Sequence, residues 1–225
     1  MTQHLSHKAF TPLAQLETYW ETLRGNRLMP NRSEIDPRGI EQTLEYSFIV
    51  ERIAPGIARL RIAGSHLSDL MGMEVRGMPL TSFITPGSRR QVSDILEEVF
   101  EKPATCSLEL HSSQGVNLPA LEARMILMPL KSDLGDVSRV LGALVSVGDM
   151  GRSPRRFDVT RASVRPIVAD AGLAPTIKSS KPVVKTPIKT PVKTPEHAFR
   201  ETPAPFKSET PRSHAPYLRL VKSDD

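Results

Sequence analysis

Three arginines and two prolines fall within the fourteen residues Arg24-Gly25-Asn26-Arg27-Leu28-Met29-Pro30-Asn31-Arg32-Ser33-Glu34-Ile35-Asp36-Pro37. A guanidinium presents fixed, paired N–H donors that match carboxylates, phosphates and backbone carbonyls. Arg24, Arg27 and Arg32 therefore have two uses open to them. They can clamp an anion, or they can pin the segment to carbonyls and acids nearby. The prolines favour pinning. Pro30 and Pro37 push Met29 and Asp36 into extended backbone, which makes the segment a stiff strap. Arg24, Arg27, Pro30, Arg32 and Pro37 are read as strap or interaction residues.

Other reactive groups are sparse. His66 follows Gly64-Ser65 where a strand gives way to a short helix. There it can line a pocket, although a lone histidine more often serves as a structural hydrogen-bond partner. Cys106 is the one cysteine, so neither an internal disulfide nor a thiolate metal cluster is possible. It falls on the apolar phase of its strand and reads as a small core residue. Asp94, Glu97 and Glu98 read as solvated charge on a helix face. No HExxH, no GxxxxGK[ST] and no nucleophile–base spacing appears. No catalytic residue and no metal ligand is assigned, and an enzyme is not expected.

The elements that must position these groups follow from periodicity. Leu13, Leu16, Trp20 and Leu23 recur at helical spacing after Thr11-Pro12, and Gly25 is a stop signal. That stripe must bury itself on the chain's own sheet or on a second copy, which makes it a candidate dimer helix. Residues 46–50 and 57–62 alternate on either side of Ala54-Pro55-Gly56, the pattern of a hairpin. Residues 64–87 read as short helical turns. Thr85-Pro86 opens a helix in which Val92, Ile95, Leu96, Val99 and Phe100 share one face. Strands are expected near 104–112, 118–129 and 137–148, the last apolar enough to be buried on both faces. The order predicts an α+β domain: a five-stranded antiparallel sheet with helices on one face, preceded by an N-terminal helix.

Composition divides the chain of 225 residues. Residues 1–151 hold 15 Lys+Arg against 18 Asp+Glu, net −3, and residues 152–225 hold 15 against 7, net +8. The boundaries expected are a disordered N-terminus over 1–10, the domain over 11–151 and a basic tail over 152–225. Nine prolines in 174–216, with Lys-Thr-Pro repeating at Lys185, Lys189 and Lys193, predict disordered or polyproline-like chain. The ending Tyr217-Leu218-Arg219-Leu220-Val221-Lys222 reads as an amphipathic tail end. The N-terminus lacks a signal-peptide core and no run is long and apolar enough to span a membrane, so a cytoplasmic protein is expected.

The strand–helix–strand order resembles a PAS domain. The local sequence resembles one alphaproteobacterial branch of that family, first catalogued as a domain of unknown function. The resemblance rests on Trp20 leading into Leu23-Arg24-Gly25, Arg27, Pro30, Arg32 and Asp36-Pro37. It rests also on Arg61-Ile62-Ala63-Gly64-Ser65-His66-Leu67 running into Gly72-Met73-Glu74-Val75-Arg76-Gly77, and on a sheet ending near Gly148. It covers about residues 12 to 150.

The resemblance implies a stand-alone sensory or regulatory module in bacterial signal transduction, acting through protein partners, itself included, or a small apolar ligand. Many PAS domains hold a ligand between sheet and helices, which makes His66, Met71 and Phe83 candidate pocket or structural residues. Many dimerise through an N-terminal helix, a possible use for the stripe. The cofactor is left open. Haem is not expected, because the haem-binding histidine of PAS sensors usually lies on the longer helix, and residues 86–101 contain none. Flavin is not expected, because the asparagine- and arginine-rich motif of light-sensing relatives is absent. The alternative is a nucleic-acid-associated or scaffold protein acting through the basic tail, with salt-sensitive binding.

Overall fold

The computed structural model describes residues 9–116 and 118–168. The Lys-Thr-Pro repeat and the ending at 217–222 lie outside the described residues. Helix α1 spans Thr11–Arg24, with Pro12 in its first turn and Gly25, at φ +54°, closing it through an N–H donated to the Glu21 carbonyl. Two 3₁₀ segments follow, Arg32–Glu34 and Pro37–Tyr46. The hairpin comes next: β1 is Ser47–Ala54, β2 is Ile57–Ala63, and Gly56 turns between them with φ +68°. Helix α2 (Ser65–Met71), a 3₁₀ turn (Leu80–Phe83) and helix α3 (Arg89–Glu101) lead to β3 (Ala104–Ser112), β4 (Leu121–Leu130), β5 (Arg139–Val147) and β6 (Asp158–Pro166).

These strands form one sheet in the order β2-β1-β5-β4-β3-β6, antiparallel throughout. It has six strands, not the five expected. β6 lies inside the stretch assigned to a basic tail, so the sheet runs past residue 151. It pairs along β3, with Cys106 opposite Val164 and Leu108 opposite Ala162, and so covers what would otherwise be an open edge. None of its residues is fully buried, which is why its apolar alternation is too weak to signal a strand. With β6 in the fold, residues 167–225 keep ten Lys+Arg against six Asp+Glu, net +4 rather than +8.

Helix α3 starts at Arg89, later than Thr85-Pro86 suggests. The Thr85 hydroxyl bonds the Asp158 carboxylate instead of capping, and the Thr85 N–H donates to Phe157 O at 2.9 Å. The β5–β6 connection is thus stitched to the entry of α3.

The sheet is buried on both faces. On one, Phe48, Val50, Leu108, Met125 and Leu144 pack against Leu67, Leu70, Phe83, Leu96 and Val99 of the helical layer. On the other, α1 lays Leu13, Leu16 and Trp20 over Ile126, Met128, Leu141, Ala143 and Val145. β5 therefore has cores on both sides, as its nearly continuous apolar run predicts. Gly142 sits opposite Phe48, and a Cβ there would lie 2.5 Å from the phenyl ring. Among the described residues, no helix is long and apolar enough to cross a membrane.

Candidate functional site

The structure separates the three strap arginines. Arg27 forks onto Glu34, Nη1 to Oε2 at 3.0 Å and Nη2 to Oε1 at 2.9 Å, and also donates to Leu23 O at 2.6 Å. Glu34 in turn accepts the Asn31 N–H at 2.6 Å. The Arg27 hydrogen bonds, helped by that N–H, hold the Glu34 carboxyl below the usual carboxylate range. Arg24 pairs with Glu21 at 2.7 Å, donates to Arg27 O at 2.9 Å and lies over the Trp20 ring at 5.7 Å. Both side chains pin the strap, and Arg24 also donates to Val168 O beyond the last strand at 3.4 Å.

Arg32 differs. Its backbone is fixed to the chain just after β4, Arg32 N–H to Lys131 O at 2.8 Å beside Lys131 N–H to Pro30 O at 3.0 Å. Its guanidinium makes no hydrogen bond or ion pair among the described residues, and its Nε is buried without a partner. It borders a cavity of about 530 Å³ between the strap and the sheet.

That cavity has a definite origin. Helix α1 covers β4 and β5 but leaves the β1–β2 end of the same face to the 3₁₀ segment Pro37–Tyr46, which bridges it without filling it. The sheet contributes Ile49, Ile62 and Leu141, the strap contributes Ile35 and Pro37, and the 3₁₀ segment after it contributes Ile40 and Leu44. Leu44 and Ile62 remain 41% and 47% exposed at the mouth. Glu41 and Glu45 are exposed at the rim. Gly64 is required where β2 ends: a Cβ there would lie 2.2 Å from Glu45 O. A cleft of this size, mostly apolar with one arginine and two glutamates at its border, has the make-up of a small-molecule site, for which about 300–1,000 Å³ is usual.

The three candidate pocket or structural residues lie away from this cleft. Met71 and Phe83 are packed in the helix-side core. His66 holds β5: the Ser146 N–H donates to Nε2 at 3.3 Å, Ser146 Oγ is 3.1 Å away, and Tyr46 meets the ring edge-on at 5.0 Å. Nε2 is thus an acceptor and the ring is neutral, in keeping with burial pushing its pKa down. None of the three lines the cleft.

The stripe expected on the chain's own sheet or on a second copy packs on the sheet. Leu13, Leu16 and Trp20 are buried on the chain's own sheet, where the back of β4 and β5 needs a cover, and Leu23 packs beside them. Trp20 Nε1 donates to Pro129 O at 3.0 Å. Cys106 sits in the core with its thiol pushed up to about 12 by burial, so it is inert as a nucleophile.

Two features escaped the sequence reading. The segment Pro37–Tyr46 carried a signal, since Asp36 caps it by accepting the Arg38 N–H at 2.9 Å and Pro37 opens it. Arg155 carried none. It lies among the supposed tail charges yet is 1% exposed, donating to Pro119 O at 2.6 Å and Met150 O at 3.2 Å.

A family model described as "PAS domain" matches residues 8–145. No curated protein matches the chain. Among solved structures, a light-oxygen-voltage domain studied with a flavin analogue aligns at 15% identity over 50% of this chain and 84% of that one, with a TM-score of 0.38. The PAS domain of BvgS from Bordetella pertussis aligns at 14% identity over 60% and 88%, with a TM-score of 0.36. An RNA-binding light-oxygen-voltage receptor aligns at 19% identity over 52% and 35%, with a TM-score of 0.36. The structural scores are low, and the assignment rests on the family match, which takes in more than half of the sequence. By that match the chain belongs to the PAS domain family.

Proposed function

We propose that this chain is a PAS-type regulatory module of a bacterial cytoplasm whose input is the cleft beneath the strap and whose output is a protein partner rather than a reaction of its own. Family membership supports a sensory role in signalling. The observation that carries the placement is the contrast between the two faces of the sheet. Leu67, Leu70, Phe83 and Leu96 are buried in the helix-side core, whereas the segment at 37–46 spans an open apolar cleft.

The strap is also joined to the element next to it. Tyr19 of α1 accepts the Asp36 N–H at 2.9 Å, and Gln15 donates to Gln42 at 3.1 Å. An occupant that lifts or seats the segment at 37–46 therefore acts on α1 through these contacts and through Arg27–Glu34. A change in α1 is then visible at the surface to a partner.

The test is affinity purification of the full chain from its native cells, with mass spectrometry of both proteins and small molecules, beside a variant carrying Leu44→Arg and Ile62→Arg at the mouth. Species that accompany the wild type and are lost from the variant support the reading. Retention of the same species by a folded variant contradicts it.

A further inference from the structure

We infer that the cleft binds a small amphipathic monoanion, in chemical class a medium-chain carboxylate, with its head on Arg32 and its chain along Ile49, Ile62 and Leu141. The inference rests on the cleft being the input of the module.

Arg32 supplies the first part of the argument. Six other arginines, Arg24, Arg27, Arg52, Arg61, Arg139 and Arg165, pair with glutamates. Arg32 has no such partner among the described residues; its Nε is shut away from solvent with no acceptor, as are those of Arg139 and Arg155. A carboxylate on its terminal N–H donors gives the guanidinium the charge partner it lacks. The backbone bond to Lys131 fixes where the guanidinium begins, so the head position is set by the fold.

The lining supplies the second part. Apart from Arg32 and Ser47, whose hydroxyl is spent on Thr43 O, the buried lining residues are apolar, which suits a hydrocarbon chain. The charge of the rim supplies the third. Glu41 and Glu45 border the same cleft against the single positive charge of Arg32, so each added negative charge on a ligand is penalised and a polyanion is disfavoured most.

The experiment is titration calorimetry of the full chain with decanoate, decanol and decylamine, repeated on Arg32→Gln after its thermal unfolding has been matched to wild type. Decanoate should bind about ten- to a hundred-fold tighter than decanol, the range expected for one hydrogen-bonded charge pair. Decylamine should bind more weakly than decanoate, and Arg32→Gln should bring decanoate down to the level of decanol. If that variant does not fold, Ile62→Glu at the half-exposed mouth serves instead, and it should weaken decanoate more than decanol. Equal binding of decanoate and decanol, both lost in Ile62→Arg, would overturn the anionic head while leaving the cleft as the input. Failure of decanoate to bind at all overturns the inference, and the native-cell purification then decides the cleft reading separately.

Discussion

Arg27 and Glu34 face each other across the turn of the strap as a two-pronged pair, with both N–H···O distances at or below 3.0 Å. Glu34 is shared, since it also receives the Asn31 N–H. One carboxylate thus ties the end of α1 to the first 3₁₀ segment. Arg27→Ala should leave the sheet core intact and speed amide hydrogen exchange over residues 27–35, read by mass spectrometry. Because the folded Glu34 titrates below its unfolded value, its contribution is present above the ordinary glutamate pKa of about 4.3 and is lost as pH falls through the lower folded value. In the variant the folded value moves back toward the unfolded one, so that loss should be smaller.

Trp20 is fully buried and bonds the Pro129 carbonyl, so its role is to hold α1 on the sheet. Trp20→Ala should cost about 3–5 kcal/mol, the range for emptying a large aromatic site. Trp20→Phe should cost about 1–3 kcal/mol by orphaning the carbonyl. Trp20 is the chain's one tryptophan, so urea unfolding must be followed by circular dichroism. A variant with unchanged stability and altered self-association would restore the helix to a dimer role.

His66 carries a pH dependence of definite sign. Burial lowers its folded pKa, with Asp69 and Glu45 opposing more weakly. The unfolded chain therefore takes up the proton first. The stabilisation is present above the unfolded value of about 6.5 and is lost as pH falls below it. The urea midpoint should drop between about pH 7.5 and about pH 5.5, and His66→Gln, whose amide oxygen can still accept the Ser146 N–H, should flatten that drop.

Much of this was legible in the sequence, and the exceptions share a cause. The stripe of α1, the Pro-Gly hairpin, the face of α3 and the apolar run of β5 bury complete faces, and burial writes periodicity into sequence. β6 buries no residue fully and is held by pairing with β3, which leaves no pattern to read. The segment at 37–46 announced itself only by Asp36-Pro37. The three strap arginines look alike in sequence. What sets Arg32 apart is that Lys131, distant in the chain, fixes its backbone at the cleft, and only the fold supplies that.

The domain boundary makes a sharp prediction. A chain ending after residue 168 should unfold cooperatively. One ending after residue 151 loses β6 and the fully buried Phe157, which alone is worth about 3–5 kcal/mol against the roughly 5–15 kcal/mol that holds a typical domain. It should elute as aggregate on gel filtration and lack a thermal transition.

The measurement that bears most directly on the account is binding of an uncharged apolar dye, Nile red, to the full chain and to the Leu44→Arg, Ile62→Arg variant. The cleft beneath the strap, not the helix-side core, should be the receptive site. The wild type should therefore bind the dye with enhanced emission, and the folded variant should not. Equal dye binding by both chains would contradict the account.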